Sequence, residues 1–488
     1  VLPLPAPLRC NNDARAGTPT RARDIDEESF FVTDTVYDMV VLGAGSGGYA
    51  AALRGAQLGL RVALIEADKV GGTCLHRGCV PTKALLHAAE TVDAVRGARA
   101  LGVDAELRGV DMAALNAYKD SIVTRMHKGL QGLVASRGID LIAGRGRLAG
   151  AGAVEVDGRA VRGRNIVLAT GSYSKTLGQR IDERVLTSEG ALRLERVPAS
   201  AVVLGGGVIG VEFASAWAFL GARVTIVEAL PRLVPGEDEA VSKQLERAFR
   251  KRRIAVRTNT MFESVERHDG GVTVHTQDGR THDAEVMLIA VGRGPVTADL
   301  GYEQAGVAMD RGFVTTDGLG RTSVPGVWAV GDIVPGVQLA HRGFAQGIVV
   351  AEKIAGLDPT PVDDVLVPKV TFCEPEIASV GLSEAKAAEI HGKENITSAE
   401  FNVAGNAKSQ ILGTQGFVKL VSLKDGPILG FHAIGARMGE QVGEGQLMVS
   451  WEADADDVAA LVHAHPTQNE TLGEAAMALA GKPLHNHG

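Results

Sequence analysis

Residues Val40–Ala67 read VVLGAGSGGYAAALRGAQLGLRVALIEA, and Val202–Ala229 read VVLGGGVIGVEFASAWAFLGARVTIVEA; half of the aligned positions are identical. Each copy runs as a short apolar strand, a glycine turn, a stretch of small and apolar residues with helical character, and a second apolar strand that ends in Glu66 or Glu228. That order is a βαβ unit, and a crossover between parallel strands in one sheet is right-handed, so each copy specifies half of a doubly wound nucleotide fold. The chain must therefore contain two such folds.

The first copy carries Gly43, Gly45 and Gly48 in GxGxxG spacing, and the second carries Gly205, Gly207 and Gly210. Glycine in this turn lets a pyrophosphate approach the helix N-terminus, where unpaired N–H groups and the helix dipole favour negative charge. An acidic residue follows 18 positions after the third glycine in each copy, Glu66 and Glu228, placed to accept hydrogen bonds from a ribose hydroxyl. Two complete fingerprints imply two dinucleotides and an electron path between them, commonly flavin to nicotinamide. A carboxylate at Glu228 repels a 2′-phosphate, so the second site favours NAD over NADP, although Arg232 stands four residues on.

Length and composition agree with this reading. At 488 residues the prior is about three domains. The chain has 61 glycines, 45% hydrophobic and 4% aromatic residues, as expected of a globular protein whose backbone approaches ligands closely. A net charge of -8 with scattered Lys and Arg gives no basic field for nucleic acid. Arg54 and Glu212 interrupt the two most apolar regions, so no membrane span is expected. The first 34 residues lack the apolar core of a secretory signal and read as a disordered leader or an extension of the gene. Four cysteines (Cys10, Cys74, Cys79, Cys373) are too few for a secreted disulfide framework, which favours a cytoplasmic location.

Between the repeats lies GGTCLHRGCVPTKALLH, with Cys74 and Cys79 five residues apart. Five residues of undistorted helix rise about 7.5 Å, more than bonded cysteines usually span, so a bond between these two requires a bent segment. Pro81 suits the first turn of a following helix, expected from Pro81 through Ala89. A helix N-terminus lowers thiol pKa values and suits thiolate chemistry. Two other readings stand beside this one: buried inert thiols, or half of a zinc site in which His76 is the one close additional ligand.

The segment resembles the redox-active segment of the pyridine nucleotide disulfide oxidoreductases, and the resemblance runs from about Tyr37 to the C-terminus through ATGS at Ala169–Ser172, AVGRGP at Ala290–Pro295, TSVPGVWAVGD at Thr322–Asp332 and HAHPTQNE at His463–Glu470. It implies two Rossmann-like dinucleotide-binding domains, for FAD and NAD, and an α+β C-terminal dimerisation domain. The expected boundaries are 35–180 with 285–360 for the FAD domain, 181–284 for the NAD domain and 361–488 for the interface domain.

Carried over residue by residue, the resemblance makes Cys74 the interchange thiol, Cys79 the thiol facing flavin, His465 the acid–base group supplied by the other subunit of a homodimer, and Glu470 the group that orients it. It places FAD against Gly43, Gly45, Gly48, Glu66, Thr73, Lys83, Thr170, Gly171, Ser172, Asp332 and His341, and NAD against Gly205, Gly207, Gly210, Glu212, Glu228 and Gly292. No metal is implied. Lys83 and Glu212 match a family pair near the flavin ring, with solvated helix charges as the alternative. The helix that begins in QLAHRGFAQG, from Gln338, is expected to face the flavin. Cys10 and Cys373 are expected to be free thiols; His87, His341, His432 and His463 are expected to be structural, His341 near FAD.

Within the family, no cysteine follows Cys373, which removes the C-terminal redox pairs of mercuric reductase and the larger thioredoxin reductases, and Glu228 disfavours the NADPH of glutathione reductase. The dihydrolipoyl dehydrogenase branch uses NAD, and its pattern GGTCLNxGCxPSKALL differs here mainly at His76, Arg77 and Thr82. This branch implies oxidation of protein-bound dihydrolipoyl groups, with lipoyl domains and the acyltransferase core of a 2-oxo acid dehydrogenase complex as partners. The alternatives are reduction of another small disulfide, of glutathione or mycothiol type, or of a quinone, and a non-catalytic flavoprotein scaffold.

Overall fold

The computed structural model describes residues 36–486; the leader expected over 1–34, and Cys10 within it, lie outside the described residues. The first repeat forms the strand Val36–Leu42, the helix Ser46–Gln57 and the strand Val62–Glu66. These strands belong to a seven-stranded sheet in which 36–42 is flanked in parallel by 62–66 on one side and by Arg159–Leu168 on the other. A late strand, Val327–Ala329, returns to the same sheet parallel to 159–168. Met39, Val40 and Val41 are wholly buried, as in parallel strands covered on both faces.

The second repeat builds a five-stranded, all-parallel sheet from Ser200–Leu204, Arg223–Val227, Ala255–Arg257, Val286–Ile289 and Val185–Leu186, with the helix Val208–Leu220 as its crossover. Sequence identity becomes identity of register. Val41 pairs with Leu64 as Val203 pairs with Ile226, and Leu42 with Ile65 as Leu204 with Val227. The third glycine of each fingerprint lets helix and turn close up: a Cβ at Gly48 would stand 1.8 Å from the Gly43 carbonyl oxygen, and one at Gly210 1.9 Å from that of Gly205. A side chain at either position would push the helix off the turn it must follow.

The last third of the described chain is a five-stranded antiparallel sheet in the order Lys369–Thr371, Glu376–Gly381, Ile428–Gly435, Phe417–Leu423, Ile396–Asn402. Phe401, Leu420, Phe431 and Leu472 are among the residues of its core, the last from the helix Glu470–Leu479. Among the described residues no helix is long and apolar enough to cross a membrane.

Candidate active site

Cys74 and Cys79 are bonded to one another, with Cα atoms 4.7 Å apart. The required bend is present: the helix Gly72–Arg77 ends at Gly78 (φ −136°, ψ −113°), and a second helix runs Cys79–Gly97. The expected helix began at Pro81 and stopped at Ala89; the observed one is longer at both ends. Its first turn is drawn tight by Thr82, whose Oγ donates to the Gly78 carbonyl at 2.7 Å, and its buried face (Leu85, Leu86, Ala89, Val92) continues past the expected end.

A cleft of about 1140 Å³ opens beside the disulfide. On the side of the first repeat it is lined by Gly45, Thr73, both cysteines and Lys83, with Gly171, Ser172 and Asp332 from later segments. On the side of the second it is lined by Gly205, Gly207, Glu212, Glu228 and Gly292. The cleft therefore joins both glycine turns to the disulfide. Gly43, Gly48 and Gly210 are not among the lining residues.

The carboxylates that end the two repeats are held alike, although only Glu228 lines the cleft. Glu66 accepts from the N–H groups of Ala44 (2.7 Å) and Asp68 (2.9 Å), and Glu228 accepts from those of Gly206 and of Leu230 (2.7 Å). Arg232 is turned to the Pro235 carbonyl and to Ser242, and it does not line the cleft.

Lys83 and Glu212 are a pair, not solvated charges: Nζ lies 2.8 Å from both carboxylate oxygens, and Glu212 is 3% exposed. One oxygen also accepts the Phe372 N–H at 3.0 Å. Glu212 was expected among the NAD contacts; it borders the cleft, but its carboxylate is committed to Lys83 and Phe372.

The side chains of two further residues expected against FAD are engaged outside the cleft lining. Thr170 turns its hydroxyl away from the cleft, donating to the Val296 carbonyl at 2.6 Å with the Tyr302 hydroxyl at 3.0 Å. His341 is exposed and donates from Nε2 to the Pro368 carbonyl at 2.7 Å, while its neighbours Leu339, Ala340 and Gly343 line the cleft.

Of the departures from the family pattern, Thr82 lines the cleft, whereas His76 and Arg77 do not. His76 donates from Nε2 to the Val70 carbonyl at 2.9 Å and packs edge-on against His127, and Arg77 pairs with Asp68 at 3.1 Å and Glu189 at 3.8 Å. With both sulfurs joined to each other and His76 tied to Val70, the zinc reading has lost its ligands. Cys373 is free and buried, and burial pushes its thiol well up.

His465 and Glu470 do not line the cleft of their own chain. His465 Nδ1 is 2.7 Å from Glu470 Oε1, and Glu470 Oε2 accepts the Thr467 N–H at 2.7 Å. Burial pushes the Glu470 carboxyl up, but the Thr467 N–H and His465 outweigh it and hold the group below the usual range. The imidazole is 70% exposed.

Sequence reasoning passed over Arg293, which lines the cleft and donates to Ser172 Oγ at 2.7 Å and to the Ser172 carbonyl. Its signal was present in AVGRGP. It also passed over Glu444, 19 residues from His463, whose Nε2 it meets at 2.9 Å.

Two family models match the chain: pyridine nucleotide-disulphide oxidoreductase over residues 37–347, and the dimerisation domain of the same family over 367–476. The dihydrolipoyl dehydrogenase of Bacillus subtilis is 38% identical over 460 residues, covering 92% of this chain and 97% of the relative. Dihydrolipoyl dehydrogenase 3 of Pseudomonas aeruginosa is 38% identical over 470 residues, covering 92% and 99%. Among solved structures, LpdA of Mycobacterium tuberculosis superposes with a TM-score of 0.85 at 27% identity, over 90% of this chain and 99% of that one. The flavoprotein disulfide reductase RclA of Escherichia coli does so with a TM-score of 0.81 at 27% identity, over 90% and 99%.

Proposed function

The chain belongs to the pyridine nucleotide-disulphide oxidoreductases, and from that premise we propose that it is a dihydrolipoyl dehydrogenase, oxidising protein-bound dihydrolipoyl groups with NAD. The observation that carries the proposal is the Cys74–Cys79 disulfide opening on one cleft with both glycine turns. The cleft fits the two cofactors, FAD and NAD. A Cβ placed at Gly45 or at Gly207 meets nothing within 4 Å, so each turn is open where a pyrophosphate would lie. Gly45, Thr73, Lys83, Gly171, Ser172 and Asp332 would hold FAD; Gly205, Gly207, Glu228 and Gly292 would hold NAD. When bound, these cofactors supply two-electron transfer between the dithiol and nicotinamide, which restores the disulfide.

The remaining chemistry is that of the chain. Glu470 accepts from Nδ1 of His465, which leaves Nε2 as the atom that takes a proton from a substrate thiol. The resulting thiolate attacks Cys74 Sγ, a substrate–Cys74 bond forms, and the Cys74–Cys79 bond breaks with Cys79 leaving as thiolate. The second substrate thiol then displaces Cys74, so that the substrate departs as a disulfide and both cysteines are reduced. His465 would meet the disulfide from a second copy of the chain, which makes the active unit a homodimer. Lipoyl domains and the acyltransferase core of a 2-oxo acid dehydrogenase complex are the partners this reading gives, in a reducing cytoplasm.

Steady-state turnover of dihydrolipoamide with NAD, set against glutathione or mycothiol disulfide with NADPH, tests the proposal. Rapid turnover of the first pair supports it. Turnover confined to another disulfide or to a quinone overturns the substrate, and a bound flavoprotein inactive with all of them supports the scaffold reading.

A further inference from the structure

His465 projects from a short non-helical link between the helices Ala455–Ala459 and Glu470–Leu479. With 70% of its side chain exposed, packing does not fix the imidazole; its position depends on the frame of the link. One carboxylate grips that frame at both ends. Glu444, on the separate helix Val442–Ser450, meets His463 Nε2 at 2.9 Å with one oxygen and accepts from Asn469 Nδ2 with the other.

The grip is part-buried and is charge-assisted when His463 is protonated. Hydrogen bonding to Glu444 raises the His463 pKa against the opposing effect of burial, and His463 lowers that of Glu444. Charge-assisted bonds of this kind are shorter and stronger than neutral ones. The His463 ring fills a notch on the helix that Glu470 begins: a Cβ at Gly473 would stand 2.5 Å from His463 Nδ1. His463 is thus pressed against the turn that carries the carboxylate orienting His465. The rest of the link is pinned by Asn406 donating to the Thr467 carbonyl at 3.0 Å and by Gln468 donating to the Ala436 carbonyl at 2.8 Å.

We propose that Glu444, acting through His463 and Asn469, is the positioning residue that holds His465 in register for proton exchange with the cysteine pair of a second copy. The proposal rests on the reading of His465 as the acid–base group. A side chain that must serve a thiol on another subunit gains from a frame fixed before the two meet, because misplacement of a reacting group by about 1 Å can cost on the order of a hundredfold in rate.

The test compares Glu444→Gln, Gly473→Ala and His465→Gln in the FAD-loaded dimer, each assayed for dihydrolipoamide oxidation by NAD and for NADH-driven quinone reduction, which needs no substrate thiol. Glu444→Gln is expected to lower kcat with dihydrolipoamide by about tenfold to a hundredfold with KM for NAD unchanged. Its quinone reduction should stay within about twofold of the native rate, because the variant leaves the cleft intact. Gly473→Ala, which displaces His463 without touching Glu444, should show the same split and carries the test if Glu444→Gln fails to fold. Full lipoamide turnover in both positioning variants, beside its loss in His465→Gln, would overturn the proposal, as would equal losses in both assays, which mark a merely structural role. Retained turnover in His465→Gln would instead overturn the acid–base reading.

Discussion

Lys83 Nζ lies 2.8 Å from each carboxylate oxygen of Glu212, joining the helix that begins at Cys79 to the helix of the second repeat. Lys83 is also 4.7 Å from the centroid of the Phe372 ring, whose own N–H bonds to Glu212. The helix that follows the disulfide, the second repeat and the link between the first two strands of the C-terminal sheet meet at this one buried carboxylate.

Removing the cation while leaving the carboxylate is therefore costly. Lys83→Met is expected to destabilise the protein by about 3 kcal/mol, the penalty for a buried charge deprived of its partner. Urea unfolding of native and variant protein, read by two probes to check that the transition is a single one, measures it. Lys83→Met with Glu212→Gln should recover part of the loss, because no uncompensated charge then remains.

Cys79→Ser removes the leaving thiolate of the disulfide and is expected to lower lipoamide turnover by on the order of a thousandfold or more. Cys373 gives no rescue. It is 3% exposed, and burial pushes its thiol well above the ordinary range, so the reactive thiolate is scarce there. Mass spectrometry after brief alkylation of the reduced native protein should find the label on the 74–79 segment and not on Cys373.

How much of this was legible in the sequence depended on the range of the interaction. The repeat fixed the two parallel cores down to register because Val40–Leu42 and Val202–Leu204 meet strands encoded within the same 28 residues. The bend between Cys74 and Cys79 was legible because its cause, a chain too extended to close a bond, is local. The directions of Thr170 and His341 were not: each is set by a carbonyl, Val296 or Pro368, that folding brings from another part of the chain. The Glu444–His463 pair was hidden for the same reason, since nothing near Glu444 in sequence distinguishes it from a solvated helix charge.

The way Glu228 is held bears on nucleotide choice. Both of its oxygens accept backbone N–H groups, so the carboxylate is held in place, while Arg232 is turned away. NADP is expected to be a poor substrate because its 2′-phosphate would meet this charge. Glu228→Gln should narrow the NAD-over-NADP ratio of kcat/KM, by about tenfold if roughly 1.4 kcal/mol of repulsion is relieved. An unchanged ratio would mean that the discrimination lies elsewhere.

The pH dependence of stability at the His463–Glu444 pair has opposite signs at its two ends. Hydrogen bonding to Glu444 raises the folded-state pKa of His463, so its contribution is complete below the ordinary histidine value of about 6.5 and is lost as pH rises through the raised value. Hydrogen bonding to His463 lowers that of Glu444, so its contribution is complete above the ordinary glutamate value of about 4.3 and is lost as pH falls through the lowered one. The pair therefore stabilises the protein most between those limits. Glu470, held low by Thr467 and His465 against the effect of burial, adds to the acid side only. Melting temperatures of native protein and Glu444→Gln measured from pH 4 to pH 9 should differ most near pH 5 to 6 and converge as pH rises through the raised value of His463. A difference that grew with rising pH would show that the pair is not ionic.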